Sequence, residues 1–215
     1  MKGMLKRQFT REISGIGLPF LAFGVALNLT LGQLTSALKI PMYLDSVGTV
    51  LVAVLCGPLS AMLAGSLANF LASALGSPGM VFFIPVVLVI GAFTGFIASR
   101  GWFRYWYLVI PAGILQGLLA ALVSAPISAY LFSGVMLAGT DFLVMYFRSM
   151  GNSLLESVLY QGFASDPVDK TISYLLTFLV VHSLPKSILA RFYGGKNIIP
   201  RSPDKPSAGS GPDHR

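Results

Sequence analysis

Six apolar runs, separated by short segments that hold most of the charge, constrain this chain more than any other feature of its sequence. A run of about 18 to 22 apolar residues can cross the hydrocarbon core of a bilayer as a helix, because a helix satisfies its own backbone donors and acceptors. Composition agrees: 54% of the 215 residues are hydrophobic and 11% are charged, whereas a soluble domain carries about a quarter charged residues. Mean hydropathy is +0.75. The runs are continuous, not alternating, which sets aside a β-barrel. The expectation is an all-α polytopic membrane protein: six transmembrane helices in a compact bundle over residues 1–193, followed by a disordered cytoplasmic tail, 194–215, rich in Pro, Ser and Gly.

Basic residues set the orientation. The opening MKGMLKRQFTRE is basic, so the N-terminus is expected in the cytoplasm by the positive-inside rule, and the first span, 13–34, reads as retained and not as a cleaved signal peptide. Residues 46–75 can be one helix or two. As one helix they would be roughly 45 Å long, well over the bilayer core. Gly57-Pro58 interrupts them, and a glycine followed by proline stops one helix and starts the next. Splitting there gives helices 46–56 and 58–75, and it puts Arg100 and Arg104, after the span 81–99, on the cytoplasmic side. The next span, 105–132, is followed by 142–160, read as an amphipathic helix on the outer side with Arg148, Asn152 and Glu156 on one face, and then by a last span, 171–192. Both termini are then cytoplasmic.

Small residues recur at four-residue spacing: Ala22 and Ala26; Gly57, Ala61 and Gly65; Gly91 and Gly95; Gly113 and Gly117. Such pairs let helix backbones approach closely, either inside the bundle or against a partner. Polar residues at membrane depth are sparse: Asn28, Thr30, Gln33, Asn69 and Gln116. Each can bond a backbone carbonyl or face a ligand. Together with Asp45, Asn152, Asp169 and Lys170 towards the outer side, they suggest a small-molecule cavity open outward. Asp45 also sits where it can cap the helix that starts at Ser46. Cys56 reads as a small core hydrophobe, and His182 as a packed or backbone-bonded histidine. No paired carboxylates, metal-ligand spacing, activated nucleophile or phosphate-binding glycine loop is present. Neither an enzyme nor a cofactor is expected. The net charge of +7 lies mostly at the termini, so it reports on topology, and no nucleic-acid partner is expected.

The segment Ala22-Phe23-Gly24-Val25-Ala26, then IPMYLDSVGTVLVAVLCGPLSAMLAG, and the closing DPVDKTISYLLTFLVVHSLPKSILARF resemble the substrate-binding S components of energy-coupling factor transporters, riboflavin-type group. The resemblance implies a six-helix subunit of the bacterial cytoplasmic membrane that binds a vitamin or related heterocycle near the outer surface. It further implies docking on a transmembrane coupling subunit that carries two ATPases, through the pair Ala22 and Ala26, with ligand contacts at Tyr43, Asp45, Asn69, Gln116 and Lys170. The segment 141–166 is longer and more polar than in that group, which leaves nucleosides, pyrimidines and other heterocycles open as ligands. Two alternatives come from other classes. One is a membrane sensor module, which should continue into a signalling domain. The other is a solitary ion-coupled carrier, which should show buried acidic residues or internal repeats, neither of which is clear in the sequence.

Overall fold

The computed structural model describes residues 2–12, 17–136 and 139–198, with side chains from residue 7 onward. The helices are α1 (Lys2–Glu12), α2 (Gly17–Ala37), α3 (Val47–Leu55), α4 (Pro58–Ala74), α5 (Ile84–Ser99), α6 (Trp106–Phe132), α7 (Asp141–Ser149), α8 (Leu154–Ser183) and α9 (Lys186–Leu189). A 3₁₀ turn, Pro78–Phe83, leads into α5. No strand occurs among the described residues. Gly17–Ala37, Pro78–Ser99 and Trp106–Phe132 are long and apolar enough to cross a membrane, and α4 is a shorter apolar helix. The chain is a helical membrane protein.

Helix α3 is the centre of the bundle. All nine of its residues are buried, and it packs against α2, α4, α5 and α8. At roughly 14 Å it is too short to cross a bilayer alone. Its lower end is closed as the sequence leads one to expect: Gly57 turns the chain at φ 113° and Pro58 opens α4 at its first position. A positive φ of that size suits glycine, and proline is preorganised for a first helical turn. The backbone N–H of Gly194 donates to Leu55 O at 2.8 Å, adding a cap from the far end of the chain. Residues 194–198 therefore pack on the bundle and do not belong to a disordered tail, while 199–215 lie outside the described residues.

Between membrane helices the apolar faces gain little from association, and close packing takes over. Two glycine pairs lie inside for this reason. A Cβ on Gly113 would come within 2.6 Å of Thr171 Cα, and one on Gly117 within 2.6 Å of the Asp166 carbonyl carbon, so α6 and α8 meet backbone to backbone. Gly91 and Gly95 seat α5 on Met62 and Pro58 of α4 in the same way. Ala22 and Ala26 differ: both are exposed on the outer face of α2.

The segment before the last helix departs from expectation. The stretch 142–160 is not one amphipathic helix: α7 stops at Ser149, Gly151 turns at φ 89°, and Ser153 starts a new helix with a reciprocal capping box to Glu156. Arg148, Asn152 and Glu156 thus share no helix face. From Leu154, α8 runs without a break through Pro167 to Ser183, where the sequence suggests a start at 171. Two orphan donors satisfied at the cap, together with Pro167 lodged against Gly117 of α6, outweigh the signal of a mid-helix proline.

Candidate functional site

The continuation of α8 places Gln161, Ser165, Asp166, Asp169 and Lys170 inside the bundle, all buried. Asp169 is fully buried and organises the loop between α2 and α3. Its Oδ1 accepts the backbone N–H of Leu44 at 2.8 Å and of Tyr43 at 3.2 Å. From the other side Thr35 of α2 donates its hydroxyl to Tyr43 O at 2.7 Å, and the Tyr43 hydroxyl bonds Thr140 Oγ1 at 2.8 Å. Three distant segments thus hold residues 43–45 in one place.

Lys170 Nζ lies 2.6 Å from Asp169 Oδ2, 2.8 Å from Ser46 Oγ and 3.6 Å from Asp45 Oδ1. An ammonium has three protons to give; two are used in the hydrogen bonds to Asp169 and Ser46, and Asp45 is held as a longer ion pair. Two carboxylates share this one cation: the fully buried Asp169, whose two oxygens are both hydrogen-bonded, and Asp45, whose side chain is a quarter exposed and keeps access to water.

Tyr43, Asp45, Asn69, Gln161, Asp166 and Lys170 line a cavity of about 90 Å³. Its remaining wall is mostly apolar, with Phe83, Ile90 and Met136 among the lining residues and two hydroxyls, of Ser124 and Ser128. Four of the six ligand-contact residues expected from the sequence therefore converge: Tyr43, Asp45, Asn69 and Lys170. The other two do not line it. Gln116 is buried on α6, one turn from the cavity-lining Ala120, and neither of its amide atoms has a hydrogen-bond partner among the described residues. Asn152 closes the end of α7 by donating to Phe147 O at 2.9 Å.

Position also decides the part played by the other polar residues. Asp45 does not cap α3, whose Ser46 N-cap makes no side-chain bond to the helix. Asn28 of α2 does that work: its Oδ1 accepts the N–H of Gly48 at 2.7 Å and of Thr49 at 3.2 Å, and its Nδ2 donates to Thr49 Oγ1 at 2.7 Å. The close crossing of Gly24 on Gly48 brings it within reach. Thr30 bonds back to Ala26 O at 2.9 Å, and Gln33 is exposed. His182 is exposed and lies 2.9 Å from Phe178 O through Nδ1. Asp166 and Gln161 are cavity residues that the sequence reading missed. The signal was present: Gln161 and Ser165, like Asp166 and Lys170, are four residues apart and share a helix face, but Pro167 disguised the helix. Buried acidic residues at Asp166 and Asp169 also answer a point that the sequence left open.

A larger cavity, about 250 Å³, lies at the opposite end of the bundle, between Gln8, Pro58, Gly95, Ser99, Tyr193 and Asn197. Among the described residues no charged side chain lines it, and specific recognition calls for convergent polar groups, so the smaller cavity is the candidate site. Beside that larger cavity the buried Glu12 caps α4. Its Oε2 accepts the N–H of Ser60 at 2.8 Å, an orphan donor of the first turn, and Oε1 accepts from Gln8 at 3.1 Å. Burial pushes its carboxyl above the usual glutamate range, against the pull of those hydrogen bonds. Among the described residues no group of three His, Cys, Asp or Glu side chains is arranged to hold a metal ion.

No family model, curated protein or solved structure matches this chain.

Proposed function

We propose that this chain is the substrate-binding membrane subunit of an ATP-driven micronutrient importer of the energy-coupling factor type, binding a small vitamin-like molecule in the cavity under the Tyr43–Asp45 loop. In this reading α2, α3, α4, α5, α6 and α8 are the six spans, both termini are cytoplasmic, and the loop and cavity face outward. The convergence of Tyr43, Asp45, Asn69 and Lys170 on one cavity, from three separate parts of the chain, is the observation that carries it. The exposure of Ala22 and Ala26 supports a close-packing contact with a coupling subunit. The chain itself then has no ATPase role; ATP hydrolysis belongs to partner subunits.

The test is to purify the protein in detergent and identify by mass spectrometry any small molecule that it retains. Repeatedly empty protein that binds none of a panel of vitamins and nucleosides defeats the proposal. A variant with Ala22→Trp and Ala26→Trp should lose uptake in cells and keep ligand binding; loss of binding instead means that the pair serves packing. The burial of Asp166 and Asp169 favours a second reading, a solitary ion-coupled carrier. Uptake by vesicles containing only this chain, driven by an ion gradient, would select it.

A further inference from the structure

The charge balance of the cavity restricts what it can hold, if the cavity is the substrate site proposed above. Asp45 and Asp166 line the cavity with two carboxylates, and Asp169 adds a third beside it; Lys170 is the only cation among the described residues in an ion pair with this group, and it pairs with Asp45 and Asp169. Two protons of that ammonium are used on Asp169 and Ser46, and its charge is shared with Asp45 at 3.6 Å, so an anionic ligand would compete with carboxylates already in place. An incoming carboxylate or phosphate would add a further negative charge beside Asp45 and Asp166.

Asp166 is the residue left over. It is 5% exposed and lines the cavity, and its one hydrogen bond is accepted by Oδ1 from Ser165 Oγ at 3.2 Å. Ser165 is itself held by Gln161 Nε2 at 2.7 Å. Among the described residues no ion pair to Asp166 forms, and Lys170 acts on it only at longer range. A buried carboxylate in that position is compensated by a proton or by a positive charge brought from outside.

Asn69 points to a ligand independently of the charges. It comes from α4 and is 3% exposed. It lines the same cavity, and its amide has no hydrogen-bond partner among the described residues. Buried amides in folded proteins are normally paired. One left open onto a cavity can accept from or donate to the polar edge of an occupant. Phe83 and Tyr43 add aromatic surface to the wall, which suits a flat or cationic group.

We propose that the cavity binds a small organic cation, a ring or chain bearing an ammonium or quaternary nitrogen, with its charge against Asp166 and a neutral hydrogen-bonding edge against Asn69. The absence of a three-ligand metal arrangement among the described residues favours an organic cation over a metal ion.

The experiment uses three rings of nearly equal size that differ in charge: 1-methylnicotinamide (cation), nicotinamide (neutral) and nicotinate (anion). Binding to the purified full-length protein at neutral pH is followed by calorimetry or ligand-induced thermal stabilisation. The cation should bind at least about tenfold more tightly than nicotinamide, as expected for a charged over a neutral hydrogen bond, and nicotinate should not bind. D166N should bring cation and neutral ring within about threefold of each other, and N69L should weaken both by a similar factor. Equal or tighter binding of nicotinamide or nicotinate by wild type overturns the proposal, and this comparison needs no variant to fold. If none of the three binds, the proposal is overturned as well, and the molecule extracted from the purified protein then judges the broader reading. An extracted neutral or anionic compound leaves the transport role standing, whereas protein empty in every preparation defeats both.

Discussion

Replacing Lys170 by methionine should destabilise the protein by about 3–5 kcal/mol, because it removes the cation paired with a buried acidic cluster and keeps the apolar stem. The structure shows where the loss falls. Lys170 is 4% exposed and Asp169 is fully buried. Without the ammonium, Asp169 Oδ2 loses its 2.6 Å partner and only Oδ1 remains bonded, to Tyr43 and Leu44. Ser46 Oγ loses its donor at the same time. A loss of that size lowers the folding equilibrium constant by roughly two to three and a half decades. It can be read from SDS-induced unfolding in mixed micelles followed by circular dichroism, without ligand. The decisive comparison is a double-mutant cycle with Asp169→Asn: if Lys170→Met strands a charge, the double variant should recover much of the loss, since a neutral isostere no longer needs the cation. A loss below about 1 kcal/mol for Lys170→Met, or strictly additive effects, would refute the reasoning.

Three further outcomes follow from the packing and caps. Gly117→Ala should cost about 1–3 kcal/mol and weaken ligand binding, because the new methyl meets the backbone of Asp166 and Pro167 and pushes α8 outward; unfolding and binding measured on one preparation check both. Asn28→Leu should cost about 1–3 kcal/mol by leaving the N–H groups of Gly48 and Thr49 unpaired, with ligand affinity nearly unchanged, which would separate a structural amide from the ligand-facing Asn69. Glu12→Gln should alter the pH dependence of stability. The folded state holds the Glu12 proton more tightly than the unfolded chain, because burial raises its pKa from 4.5. Its contribution is therefore fully present below that value and is lost as pH rises through the raised one. The melting temperature of Glu12→Gln relative to wild type should increase with pH from about 4.5 upward, and a flat difference would contradict the burial argument.

Much of the fold is legible in the residues. Apolar runs of span length, the Gly57-Pro58 break and the small-residue pairs are local properties, and they place most helix boundaries to within a few residues. The loop residues Tyr43 and Asp45 stand out because charged and polar groups are rare in such a chain. The closing helix was harder to read, since Pro167 is a local stop signal while its tolerance depends on Gly117, a residue of another helix. That misreading hid Asp166, and with it the charge balance of the cavity.

By itself the sequence determined that the chain is helical and membrane-embedded, that a short helix ends at Gly57, and which polar side chains need an explanation. The tertiary structure decided what each is for. Asn28 is consumed in capping α3 and Asn69 is left open to a cavity; Gly113 and Gly117 are buried against α8, and Ala22 and Ala26 are left exposed. The physical reason is that a residue's hydrophobicity and backbone preference are its own, whereas the satisfaction of its hydrogen bonds and charge belongs to partners far along the chain. Lys170 and Ser46, joined across the centre of this bundle, are 124 residues apart.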